Sequence, residues 1–280
     1  MRVQVVFKRR HFSYDQDWLD AFTEYAKAEL VETPTKLDAD LIVILHSVNA
    51  QWSGYQEWLI SECKNRRGKL VVFHTNEFKN VAVREAAAKD MGADFIATQL
   101  PDGRLYSMPT ISMTHALNPK AFRRMRLKRT ISVGFRGAKY KPGINDERAK
   151  IVNAFAGVAG SDIVMDDKKL LPRDEWATFL NTCKAIPGSE ASCEGARIIS
   201  PRHFEAIGCG TLQILLRGEF CGVIDERHYL PFTTVEEAMD VVNDVKRRSR
   251  IVECAHSHVL RNHTYKHRIE HLMNSVWQKQ

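Results

Sequence analysis

Apolar residues along the chain recur in two alternating rhythms. Short apolar runs at Val3–Phe7, Leu41–Leu45, Lys69–Phe73 and Phe95–Ala97 are separated by longer segments in which apolar positions return every three or four residues. A short run bounded by polar turns reads as a strand covered on both faces, and the slower rhythm as an amphipathic helix lying on it. Helices are predicted over Asp17–Leu30, 54–66 and Asn80–Met91, with Trp18, Phe22 and Tyr25 forming the apolar stripe of the first. Residues 112–129 follow neither rhythm and read as a connector. A second block then alternates strands Ile131–Phe135, Asp162–Met165 and Thr211–Leu216 with helices Asn145–Val158 and Arg173–Cys183, a short helix after Ser200, and helices from Thr234 and Ile251. Strand–helix alternation of this kind implies parallel sheets wound on both faces. The expected fold class is α/β: two doubly wound, Rossmann-like domains, residues 1–120 and 121–280, facing across a cleft.

The densest local signal is Ser200-Pro201-Arg202-His203-Phe204-Glu205-Ala206-Ile207-Gly208-Cys209-Gly210. Ser200 suits an N-cap, and Pro201 the first helical position, where a missing N–H costs nothing. The two glycines close the helix before the next strand. Its amino end, with Arg202 beside it, suits a phosphate or diphosphate. Glu205, one turn in, is placed to accept hydrogen bonds from two vicinal hydroxyls. A diphosphate next to a diol describes a nucleotide sugar.

Composition narrows the classes. Hydrophobic residues make up 44% and charged residues 27% of the chain, as in ordinary globular proteins. No apolar run is long enough to cross a bilayer, no signal peptide is expected ahead of Val3, and a cytoplasmic location is expected. The six cysteines (63, 183, 193, 209, 221 and 254) contain no C-x-x-C pair, so neither a zinc knuckle nor a redox dithiol is indicated. No G-x-G-x-x-G or G-x-x-x-x-G-K-[ST] occurs, which disfavours dehydrogenases and P-loop NTPases. The net charge is +7, clustered at Lys8-Arg9-Arg10, Arg66-Arg67, Arg123–Arg129 and Lys246–Arg250. Such a surface attracts anions: a nucleotide, an acidic glycan, DNA or an anionic membrane surface. Charge alone would equally serve a non-catalytic nucleic-acid-binding protein, but phosphate-backbone binding has no use for a carboxylate that selects a diol.

The order of weaker motifs resembles the nucleotide-sugar half of GT-B glycosyltransferases, in particular the spore-maturation-type (CgeB-like) family. Arg202, Phe204, Glu205, Ala206, Cys209 and Gly210 match the family's Arg-x-Phe-Glu-Ala-x-x-Cys-Gly core. Asp225-Glu226, Tyr229 near Pro231-Phe232, and His263-Thr264-Tyr265 with Arg268 follow in the family's order. Upstream, Ala93–Gln99, His115–Pro119 with Phe122, and Gly134–Gly137 resemble its domain crossing and second-domain loop. The resemblance spans roughly residues 93–270 and implies transfer of a sugar from a nucleotide-activated donor, UDP-linked, to an acceptor hydroxyl. It implies no cofactor beyond that donor and no bound metal. His263, His267 and His271, at i, i+4 spacing, are read as helix surface and not as metal ligands.

Ligands of open α/β sheets lie beyond the carboxyl ends of the strands. On that rule Ser200, Arg202, Glu205 and Tyr229 are expected to bind the donor, with Arg136 and Lys139 at the loop after the strand from Ile131. If the reaction inverts, a base must take the acceptor's proton. His11, Asp15 and His74 lead the candidates, with His46 and Glu77 in equivalent loops. Glu194 and Glu205 are spaced too widely for the common retaining pair, and the sequence serves either stereochemistry. A saccharide acceptor is favoured, with modified DNA as the alternative.

Overall fold

The computed structural model describes residues 1–8, 13–46, 56–74, 81–100, 105–137, 146–166, 170–188, 192–193, 196–218 and 220–278. The first part of the chain runs β1 (Val3–Val6), α1 (Ser13–Ala26), β2 (Glu29–Val31), β3 (Leu41–His46), α2 (Gln56–Asn65), β4 (Lys69–His74), α3 (Val81–Asp90), β5 (Phe95–Thr98) and β6 (Thr110–Ser112). These strands form one sheet in the order β2-β1-β3-β4-β5-β6, every pair parallel. Leu41, Ile42, Val43 and Ile44 have no exposed surface, the state a continuous apolar run predicts for a central parallel strand. The two edge strands, β2 and β6, carry only three residues each and too little pattern to be read in advance.

The second part runs β7 (Ile131–Gly137), α4 (Asp146–Ala154), β8 (Asp162–Met165), α5 (Arg173–Thr182), β9 (Cys183–Pro187), β10 (Ser192–Cys193), β11 (Ala196–Arg197), α6 (Pro201–Gly208), β12 (Leu212–Leu215), β13 (Leu230–Pro231), α7 (Val235–Asn243), α8 (Val245–Asn262) and α9 (Tyr265–Gln278). Its parallel sheet has the order β13-β12-β9-β7-β8, and β10 and β11 form a separate antiparallel pair. Strand β9, between β7 and β12, is not expected from the sequence. Its first residue, Cys183, is also the residue that caps α5, so no turn separates helix from strand.

The chain forms two compact units, Met1–Thr114 with Tyr265–Gln280, and His115–Thr264. This differs from the expected division at residue 120, because α9 groups with the first unit. Trp18 of α1 is fully buried and meets both Phe73 of β4 and Tyr265 of α9 edge-on, each at 4.7 Å between ring centres. Arg268 of α9 donates to the carbonyl of Thr114 at 3.0 Å and to its hydroxyl at 2.8 Å. Burial brings the Arg268 guanidinium down to about 10.

In the second unit, the connector ahead of β7 is held by side chains from the helices. Asn181 of α5 accepts from the Met125 amide at 2.8 Å and donates to the Arg123 carbonyl at 3.0 Å. Arg129 donates to the carbonyls of Leu180, Cys183 and Cys209 and to the Thr211 hydroxyl, tying together the chain between α5 and β9 and the turn between α6 and β12. Gly134 of β7 sets how closely α5 approaches the sheet. A Cβ there would lie 2.3 Å from the Cys183 sulfur and 2.8 Å from the Phe179 ring. Gly134→Ala should therefore overpack this contact and cost about 1–3 kcal/mol. Urea denaturation checks this, and an unchanged midpoint would mean that α5 moves aside freely.

Candidate nucleotide-sugar site

The switch in strand order of the second sheet falls between β7 and β9, the position where doubly wound sheets bind ligands. Helix α6 precedes β12, and its amino end lies at the carboxyl edge of the sheet, where the Arg202 guanidinium approaches Gly137 at the end of β7. A Cβ on Gly137 would come within 3.2 Å of that guanidinium and 2.6 Å of the Phe135 ring, so glycine is needed for this approach.

Ser200 is the N-cap with extended backbone, and Pro201 opens the helix as expected. The Ser200 amide donates to Nδ1 of His203 at 3.1 Å, a capping box with histidine in the place usually taken by glutamate. Gln213 of β12 donates to the His203 carbonyl at 3.0 Å. The helix start is thus fixed from both sides.

Glu205 is 6% exposed, and its Oε2 accepts from the Trp176 indole N–H at 2.6 Å. The same indole lies 5.7 Å from the Arg202 guanidinium, which also sits 4.9 Å over the Phe135 ring. Trp176, from α5, therefore orients the carboxylate and backs the cation at once. In the sequence its position marks only a helix-spaced aromatic, and its partner is far along the chain. The carboxylate also acts on its surroundings. The buried Cys209 thiol is pushed up to about 12, by desolvation first and by Glu205 second.

Other expected site residues are placed differently. Arg136 turns onto the neighbouring strand, where it pairs with the Asp162 carboxylate, donates to the Asp162 carbonyl at 3.1 Å and stacks 4.6 Å over Phe179. Its charge is met within the β7/β8 pair by Asp162. Tyr229 has no exposed surface, and its hydroxyl donates to the Gly218 carbonyl at 2.7 Å and accepts from the Gly218 amide at 3.1 Å. It closes the loop between β12 and β13. The acidic pair in that loop is locally compensated, Asp225 by Arg227 at 2.6 Å and Glu226 by Arg217 at 2.7 Å. The hydrogen bond from Arg227, foremost, holds the Asp225 carboxyl down at about 2.

In the first unit, His74 ends β4 at the expected sheet edge. It is fully buried and stacks on Tyr106 at 6.2 Å. Asp15 lies in the first turn of α1, partly exposed. His11, Glu77, Lys139 and Glu194 lie outside the described residues, as does the side chain of His46. The histidine series also divides: His263 caps α8, whereas His267 and His271 belong to α9. His263 instead joins His258 at 3.1 Å between ring nitrogens, and His258 stacks on His228 at 4.3 Å between ring centres. Among the described residues no group of three or more His, Cys, Asp or Glu is arranged to hold a metal ion, and no helix is long and apolar enough to cross a membrane.

Residues 141–274, just under half of the chain, match the family model described as "Glycosyl transferase-like". The chain has the GT-B glycosyltransferase fold. It is similar to a solved glycosyltransferase from Rickettsia africae, with a TM-score of 0.59 at 8% identity and all of both chains covered. It is similar also to T4 phage β-glucosyltransferase, with a TM-score of 0.61 at 10% identity over 98% of this chain and 99% of that one. A third similar structure is the N-terminal domain of Candida albicans trehalose-6-phosphate phosphatase, with a TM-score of 0.64 at 8% identity over 99% and 96% of the two chains. No protein of curated function matches in sequence. The matched segment contains the whole of α6 and α5, and so both Glu205 and Trp176.

Trp176→Phe keeps an aromatic ring beneath Arg202 and removes the indole donor to Glu205. The lost charge-assisted hydrogen bond should cost about 1.5–3 kcal/mol of stability. Chemical denaturation measures it, and a wild-type midpoint would show that the bond contributes nothing.

Proposed function

We propose that the protein transfers a sugar from a UDP-linked donor to an acceptor hydroxyl, with the donor held at the amino end of α6. The observation that carries this reading is the Trp176–Glu205 hydrogen bond beside the stacked Arg202. In this reading the Glu205 carboxylate, oriented by the Trp176 indole, receives a vicinal diol such as that of a ribose. Arg202, backed by two rings, brings a permanent positive charge to the same end of the helix, where the helix dipole also favours an anion. Charge on the leaving diphosphate grows as the glycosidic bond breaks, so cations aimed there stabilise the transition state more than the bound donor. The family match to the segment containing these residues supports the reading, as does the resemblance to spore-maturation-type enzymes. If the sugar inverts, Asp15 is the described candidate for the base.

The acceptor in this reading is a saccharide. One similar solved structure is described as the DNA modifying enzyme β-glucosyltransferase with its substrate uridine diphosphoglucose, and this favours modified DNA as the second acceptor to assay. The basic runs Arg123–Arg129 and Lys246–Arg250 would suit either an acidic glycan or a phosphate backbone.

Glu205→Gln keeps an acceptor for Trp176 and removes the charge. Calorimetry with UDP-glucose should then show donor affinity lowered by about tenfold or more, the equivalent of one charge-assisted hydrogen bond. Unchanged affinity would move the donor away from α6.

Because Arg202 and the helix supply the positive charge, transfer needs no bound metal. Activity assayed by UDP release should persist in EDTA. Full inhibition by EDTA that Mg²⁺ or Mn²⁺ restores would overturn a metal-independent transfer.

A further inference from the structure

The second unit carries a second basic site at the other end of α6. Past the helix, at the amino edge of the sheet, Arg124, Arg129, Gly210, Arg248 and Glu253 are among the residues that line an open cavity of about 230 Å³. A water molecule takes about 30 Å³, so the space admits an oxyanion of phosphate size together with several waters.

The three guanidinium groups are held in different ways. Arg129 is anchored by the carbonyls at the ends of α5 and α6, hydrogen bonds that fix its position and leave its charge uncancelled. Arg248, on the first turns of α8, donates to the Val242 carbonyl. Arg124 lies over Gly210, whose φ of +70° and absent Cβ permit it: a Cβ there would stand 2.8 Å from the Arg124 Nε. Its guanidinium pairs with Glu253 at 2.7 Å. Among the described residues no ion pair forms with Arg129 or Arg248, although the Asp244 carboxylate at the start of α8 acts on Arg248 from nearby, so the cations outnumber the carboxylates around them. They also act on one another: the Arg129 guanidinium is pushed below its ordinary value, by burial first and further by Arg248 and Arg124.

We propose that this cavity is an anion site that takes a phosphate group, bound by Arg124, Arg129 and Arg248 with Glu253 displaced from Arg124. Guanidinium groups that line one cavity offer their remaining N–H donors and their charge to the several oxygens of a tetrahedral dianion. The site is distinct from the donor site, which lies at the opposite end of the same helix. Clustered cations outnumbering the carboxylates beside them form a resting state that an incoming anion completes.

The test is a calorimetric titration of the full-length protein with inorganic phosphate in dilute chloride buffer, with and without UDP. The wild type should bind one phosphate, with or without UDP. Glu253→Gln removes the competing carboxylate and should tighten binding roughly fivefold. Arg124→Gln combined with Arg248→Gln should weaken it by roughly tenfold or more. Because Glu253→Gln predicts a gain, a folding defect in the arginine variant does not obscure the outcome. No phosphate binding at millimolar concentration, an affinity that ignores Glu253→Gln, or phosphate displaced by UDP would each overturn the proposal.

Discussion

The hydrogen bond between the Trp176 indole and the Glu205 carboxylate joins two elements, α5 and α6, that the chain builds separately. A carboxylate at 6% exposure is tolerable only when its charge is met by donors, and one of these donors sits on the neighbouring helix. The seating of α5 on the sheet therefore governs the chemistry at α6. Gly134 lets α5 come close, Phe179 stacks on Trp176 at 5.6 Å, and Asn181 fixes the connector along the same helix. Trp176 reaches Glu205 because each of these contacts is made.

The same aromatic row explains why two arginines from one region have different roles. Arg202 leaves α6 over Phe135 and Trp176, at the helix's amino end. Arg136 leaves β7 toward β8, where Asp162 meets it. Side chains of consecutive strand residues point to opposite faces, so Phe135 and Arg136 cannot both face α6. A loop position after a strand ranks a residue for ligand binding without stating its face, and only the pairing partner decides.

That contrast marks what the sequence made legible. Continuous apolar runs such as Leu41–Leu45 announced the central strands, and Ser200-Pro201 announced α6, because both signals are local. Strand β9 escaped because Cys183 serves as helix cap and strand start together. Tyr229 and His74 are buried in the structure, bonded to Gly218 and stacked on Tyr106 respectively, contacts that no periodicity records. Trp176 escaped for the opposite reason: an aromatic at helical spacing reads as core, and its indole nitrogen gains a role only when Glu205 arrives from 29 residues away.

The first unit is discontinuous, and this bears on how the chain comes into being. Trp18 and Phe73 lie in the first third of the chain, while Tyr265, which closes over Trp18, comes from the last helix. During synthesis the first sheet emerges long before α9 exists. Until the carboxyl-terminal residues leave the ribosome, the Trp18 face waits without its cover, an apolar surface of the kind that chaperones bind. The second unit, His115–Thr264, is contiguous and can close on itself sooner. Vectorial translation thus leaves the amino-terminal unit as the last to be completed.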